Sequence, residues 1–205
     1  MKQGTEEWKQ FKLGLVSASR IGDLMARTKS GPSASRKNYM MELLCQRLTG
    51  EREEGFTSPA MQWGIDTEPL ARAEYEAITG NWVDEIGFIC HPTIPMFGVS
   101  PDGLVGDDGG IEIKCPNTAT HIDTYLNWTI KKDYIYQMQT LMSCTGRQWC
   151  DFVSYDPRLP EDIRIKIIRV NRDEEMIAGI EESVIEFNRE LDELIERLKD
   201  ENTNT

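Results

Sequence analysis

Apolar residues in this chain recur in blocks whose spacing switches between the helical and the strand period, and that alternation restricts the fold more than any single motif. From Tyr39 to Leu48 the spacing is helical, and 60–78 (AMQWGIDTEPLARAEYEAI) also predicts helix, with Gly64 and Pro69 implying a kink. Between 82 and 115 the β-forming runs GFIC, MFGV and IEIKC are separated by His91-Pro92, Pro95 and the glycine-rich DGLVGDDGG, which suggests neighbouring strands of one antiparallel sheet. A helix is expected over 133–144 (DYIYQMQTLMSC), then two strands, WCDFVSY and IRIKIIRV, across the turn DPRLPED. Met176 or Ile177, Ile180, Val184, Phe187, Leu191, Leu194 and Leu198 then lay one apolar stripe along an acidic amphipathic helix over 173–199. Helix, sheet, helix, sheet, helix predicts an α/β (α+β) sandwich, and 205 residues suit one domain, 1–205.

Charge narrows the partners. The net charge of −12 looks wrong for a protein that meets DNA, whose phosphates are bound through Lys and Arg. Residues 173–205 alone hold 12 acidic and 3 basic residues, however, while residues 1–40 invert the sign with 8 basic against 3 acidic. A locally basic surface on an acidic protein is therefore expected. The segment 27–38 (RTKSGPSASRKN) reads as an exposed mobile loop, either a plain linker or a DNA contact. Trp8, Phe11, Leu13 and Leu15 read as anchors of a short amphipathic opening. The five cysteines form no C-x-x-C pair, so buried thiols are expected rather than a disulfide framework or zinc ribbon. Neither a membrane span nor a secretory signal is apparent, which makes the cytoplasm the expected compartment.

The chemistry centres on Ser100-Pro101-Asp102-Gly103, followed by Ile111-Glu112-Ile113-Lys114. On a strand Glu112 and Lys114 share one face and Ile111 and Ile113 the other. Taken alone, such alternation describes any half-buried strand. The turn at Asp102 changes that, because a hairpin can bring its carboxylate beside Glu112, and convergent carboxylates are the usual ligands of Mg²⁺. Lys114 on the same face can hold or deprotonate a water, or neutralise charge on a phosphorane. A two-metal site would need a further carboxylate. His91 and His121 read as a strand-end and a surface residue, since Mg²⁺ prefers oxygen.

The P-D…E-x-K arrangement resembles the nuclease superfamily named for that motif. In order, WKQFKLGLVSASRIGDLM, MQWGIDTEPLARAEYE, GVSPDGLVGDDGGIEIKCP and YIYQMQTLMSC resemble the phage lambda exonuclease, or YqaJ-like recombinase-nuclease, family, from about Trp8 to Val170. The resemblance implies a central mixed β-sheet flanked by helices, a restriction-endonuclease-like core. It also implies a metal site of Asp102, Glu112, the Ile113 carbonyl and Glu68, holding two Mg²⁺ ions that Mn²⁺ can replace, with Lys114 catalytic. Lys12, Ser17, Ser19, Ser100 and Gln137 match a pocket for a terminal 5′-phosphate, although a member of the family carries arginine where this chain has Lys12. Ser17 and Ser19 equally suit caps of a helix starting near Arg20. Lys29, Arg36 and Lys37 match a DNA-contacting segment. The implied activity is 5′→3′ digestion of double-stranded DNA ends to 5′-mononucleotides by a homotrimeric ring, leaving 3′ strands for a single-strand-annealing recombinase. The alternatives are a restriction- or repair-type endonuclease on the same carboxylates and a non-catalytic DNA-end-binding module.

Overall fold

The structure, a computed structural model, describes residues 1–29, 31–53 and 55–203. The chain opens with helix α1 (Glu6–Phe11), strand β1 (Val16–Ser17), a 3-10 turn (Ala18–Arg20), α2 (Ile21–Met25), the short strands β2 (Arg27–Thr28) and β3 (Gly31–Pro32), α3 (Ala34–Thr49) and α4 (Pro59–Thr79). Strands β4 (Val83–Asp84), β5 (Ile89–Cys90), β6 (Phe97–Val99), β7 (Gly103–Val105) and β8 (Gly109–Lys114) follow. Then come α5 (Thr118–Asn127), α6 (Lys132–Thr145), β9 (Trp149–Tyr155), β10 (Ile165–Asn171) and α7 (Glu174–Thr203). Among the described residues no helix is long and apolar enough to cross a membrane.

The central sheet is mixed, in the order β10-β9-β8-β7-β4, and its one parallel pair, β8 with β9, aligns Lys114 with Ser154. Parallel neighbours need a crossover, and α5 and α6 supply it. The expectation of one antiparallel sheet over 82–115 is corrected here. β5 and β6 leave the central sheet and join β1 in a second one, where β1 runs parallel to β6. Alternation within a strand says which face is buried but not which distant strand lies beside it.

Each face of the central sheet is covered. Ile111, Ile113 and Val153 pack with Ala71 and Tyr75 of α4, while Cys150 and Phe152 pack with Met138, Leu141 and Met142 of α6. Gly110 permits the second contact, since a Cβ there would lie 2.7 Å from Leu141. The expected kink in α4 is absent as a break: the helix runs through Pro69, whose missing N–H frees a carbonyl at Ile65, itself 61% exposed to water.

The stripe of α7 is buried inside the chain. Ile177, Ile180, Val184, Phe187 and Leu191 are at most 3% exposed, whereas Leu198 is 43% exposed. Phe187 stacks on Tyr39 at 5.5 Å and closes the core shared with α2 and α3. Phe187→Ala is expected to cost about 3–5 kcal/mol and to lower Tm by roughly 10 °C. Ile185→Ala on the exposed face should shift it by no more than about 2 °C; equal shifts in a thermal melt would contradict this assignment of the buried face.

Candidate active site

Strand β8 spends its two faces differently. With Ile111 and Ile113 turned to α4, Glu112 and Lys114 point toward the α6 side. A solvent-facing polar row would leave Glu112 wet, yet it is 4% exposed. Burying a carboxylate costs several kcal/mol unless something compensates its charge, so the arrangement calls for a cation.

Asp102 lies at the turn entering β7, and its Oδ2 accepts the Ile113 N–H at 2.7 Å. That bond ties the carboxylate to the residue between Glu112 and Lys114. Glu68 comes from α4, where Arg72 donates to its Oε1 at 2.6 Å and also pairs with Glu85 at 3.0 Å. Lys114 Nζ pairs with Glu112 Oε1. Among the described residues this buried oxygen has no other partner.

Mutual repulsion marks the group electrostatically. Burial and the neighbouring Asp102 push the Glu68 carboxyl up to about 7. Burial, with Asp102 and Glu68 adding to it, pushes Glu112 up as well, against the pull of Lys114. For Lys114, burial is outweighed by Glu112 and Asp102, which hold its ammonium above the usual lysine range. The same field and burial push the Cys115 thiol up to about 12.

A hard divalent cation fits these residues. Their side-chain donors are carboxylate oxygens, they resist sharing negative charge, and the buried Glu112 Oε1 meets only the Lys114 ammonium. Among the described residues no three His, Cys, Asp or Glu side chains already converge at ligand spacing; Arg72 and Lys114 neutralise the carboxylates instead.

A second group assembles at the end of β6. Lys12 Nζ lies 3.9 Å above the Trp8 ring, and Trp8 Nε1 donates to Ser100 Oγ at 3.2 Å. The hydroxyls of Ser17 and Ser19 are 3.4 Å apart on the 3-10 turn. Ser17 is its N-cap by position but makes no side-chain capping bond, and the cap of α2 is Arg20. The capping role expected for these serines is therefore not taken up. The parallel register of β1 and β6 sets Ser17 opposite Gly98, two residues before Ser100, and α6, which carries Gln137, packs on the turn. Gln137 is partly exposed, whereas Gln139 faces the other way, donating to the Asn171 carbonyl at 2.9 Å.

The segment 27–38 is corrected. It holds β2, β3 and the first residues of α3, with Ser30 outside the described residues. Lys29 and Lys37 are exposed, but Arg36 is 7% exposed and binds Glu190 of α7 through two bonds of 2.9 and 3.0 Å over the Phe187 ring. Arg36 is thus a structural tie between α3 and α7 and not a DNA contact. His121 is likewise no surface residue. It is fully buried between Ser154 Oγ at 2.8 Å and the Ile163 carbonyl at 2.9 Å. His91 does follow β5, and its Nδ1 accepts the Ile94 N–H at 2.9 Å.

Two aromatic residues matter more than sequence reasoning gave them. Trp8 is the platform under Lys12 as well as an anchor. Tyr134 stacks on Phe152 and lies 5.1 Å from Lys114 Nζ. Helical spacing of Tyr134 with Gln137 and Met138 was the available signal.

The family described as YqaJ-like viral recombinase domain matches residues 7–148. The chain is 56% identical to LHK-Exo, an alkaline exonuclease from Laribacter hongkongensis, over 98% of this chain and 99% of that one, with a TM-score of 0.91. The same values hold against the crystal structure of LHK-Exo in complex with dAMP. A phage related exonuclease from Haemophilus somnus 129PT, 20% identical over 90% of this chain and 96% of that one, shares the fold at a TM-score of 0.73. No curated protein matches.

Proposed function

The chain belongs to the YqaJ-like viral recombinase domain family and is a nuclease, and on that premise we propose that it is a Mg²⁺-dependent 5′→3′ exonuclease of double-stranded DNA ends. It releases 5′-mononucleotides and leaves 3′ single strands for an annealing recombinase. The observation that carries this reading is Glu112, a carboxylate 4% exposed, set among Asp102, Glu68 and Lys114. A relative at 56% identity that binds dAMP supports a mononucleotide product.

Asp102, Glu112 and the Ile113 main-chain carbonyl would hold one ion and Glu68 would help to hold a second; Mg²⁺ or Mn²⁺ there supplies Lewis-acid stabilisation of charge developing on the phosphoryl oxygens. Lys114, paired with Glu112, is placed to hold the attacking water or to neutralise charge on the phosphorane. Asp102, bonded to the Ile113 N–H, keeps the turn and strand in register during the reaction.

Lys12, Ser17, Ser19, Ser100 and Gln137 hold the terminal 5′-phosphate, one cation with several neutral donors. Burial and the nearby Arg52 lower Lys12 to about 8. Its charge is present below that value and is lost as pH rises through it. The ratio of kcat/KM for 5′-phosphorylated over 5′-hydroxyl ends, which reports the free enzyme, should therefore fall about tenfold between about pH 7 and about pH 9.5. Lys12→Arg, charged throughout, should keep the ratio flat, and a parallel decline in both proteins would remove Lys12 from the pocket.

A homotrimeric ring around the duplex belongs to the same reading, supported by family membership. The exposed face of α7, acidic along its length, would repel DNA from the outside of such a ring. Incubating covalently closed circular duplex beside its linear form with Mg²⁺ tests the function: digestion of the linear form alone is expected, and cleavage of the circle would instead establish an endonuclease.

A further inference from the structure

Resting on the nuclease reading, we propose that Lys131 is a phosphate-contacting residue for the strand being degraded, held beside Lys114 by the Tyr134 ring that the two lysines share. Lys114 Nζ lies 5.1 Å and Lys131 Nζ 5.9 Å from the centroid of that ring, so the two ammonium groups are at most about 11 Å apart. The ring is itself fixed, stacked on Phe152 of β9 with an interplanar angle of 21°.

Lys131 precedes α6 as its N-cap residue, but its side chain caps nothing. Its carbonyl accepts the Tyr134 and Ile135 N–H groups at 2.9 and 3.2 Å, which fixes the backbone while the side chain is exposed. No carboxylate pairs with Lys131 among the described residues. Its neighbours are differently engaged. Lys132 bonds the Tyr136 hydroxyl and lies 5.2 Å from that ring, and Asp133 lies against Gly22 of α2.

An unpaired ammonium this near the reacting phosphate has a partner in the substrate itself. A duplex strand rises about 3.4 Å per nucleotide, so about 11 Å places Lys131 within roughly three nucleotides of the bond that Lys114 serves. A contact there grips the strand without reading its bases, as a sequence-independent exonuclease requires.

Each phosphate neutralised adds about 0.9 to the slope of log affinity against log salt. Binding of a short 5′-phosphorylated duplex, measured without divalent metal across a KCl series, should give a slope shallower by about 0.9 for Lys131→Gln, with affinity several-fold weaker. Lys131→Arg should restore both. Arg189→Gln, which removes an exposed cation paired with Glu193 on α7, should keep the wild-type slope, and equal melting temperatures would show that Lys131→Gln acts on binding rather than on folding. An unchanged slope in Lys131→Gln, with wild type binding the duplex and digesting it in Mg²⁺, overturns this role alone. A wild-type protein that neither binds nor digests the duplex overturns the nuclease reading beneath it.

Discussion

Replacing Lys114 with alanine is expected to lower Mg²⁺-supported hydrolysis of linear duplex by at least about 10³-fold while leaving duplex affinity within about threefold of wild type. The separation follows from where the side chain sits. Lys114 is tied to Glu112 and lies beside the Tyr134 ring, so in the proposed function its charge faces the reacting group, whereas end recognition is assigned to Lys12 and the serines. Removing it takes away an interaction strongest in the transition state, which lowers kcat and kcat/KM together. Lys114→Arg should not rescue, because a broad planar fork cannot take the place of an ammonium wedged against a 4%-exposed carboxylate. Turnover near wild type would remove Lys114 from the chemistry, and a parallel loss of affinity would reassign it to binding.

Glu112→Gln should abolish activity to a similar degree, and it offers a readout that does not depend on turnover. An ion that binds only the folded state stabilises it by about 2.7 kcal/mol at a hundredfold excess over Kd, which corresponds to a rise in Tm of roughly 5–10 °C. Wild type should show that rise when Mg²⁺ is added. Glu112→Gln keeps the shape of the side chain but not its charge, so its melt should hardly respond. A full response in the variant would place the ion elsewhere. Ca²⁺, with looser coordination, should raise Tm in wild type without supporting hydrolysis.

The parts of this protein legible in its sequence are those fixed by local pattern. The stripe from Ile177 to Leu191 named a buried helical face because only one fold of that segment hides all five residues, and the E-x-K spacing put Glu112 and Lys114 on one face because strand geometry leaves no other choice. Residues fixed by distant partners were illegible. Arg36 reads as a loop cation until Glu190 is brought to it by α7, and His121 reads as surface until β9 places Ser154 beside it. Helix α5 escaped notice because its threonines and isoleucine are weak helix formers. The signal was Asn117 just after Pro116, whose side chain accepts the Thr120 N–H at 2.9 Å as an N-cap. For Glu68 only the family resemblance distinguished a ligand from an ordinary helix-surface glutamate; in the structure it accepts from Arg72 and lies near enough to Asp102 and Lys114 for their charges to act on it.

The most direct test follows one label. A linear duplex carrying a 5′-phosphate label at one end only, incubated with the protein and Mg²⁺, should release that label first as a free mononucleotide. A ladder of progressively shorter labelled strands, or labelled fragments from internal cuts, would contradict the account.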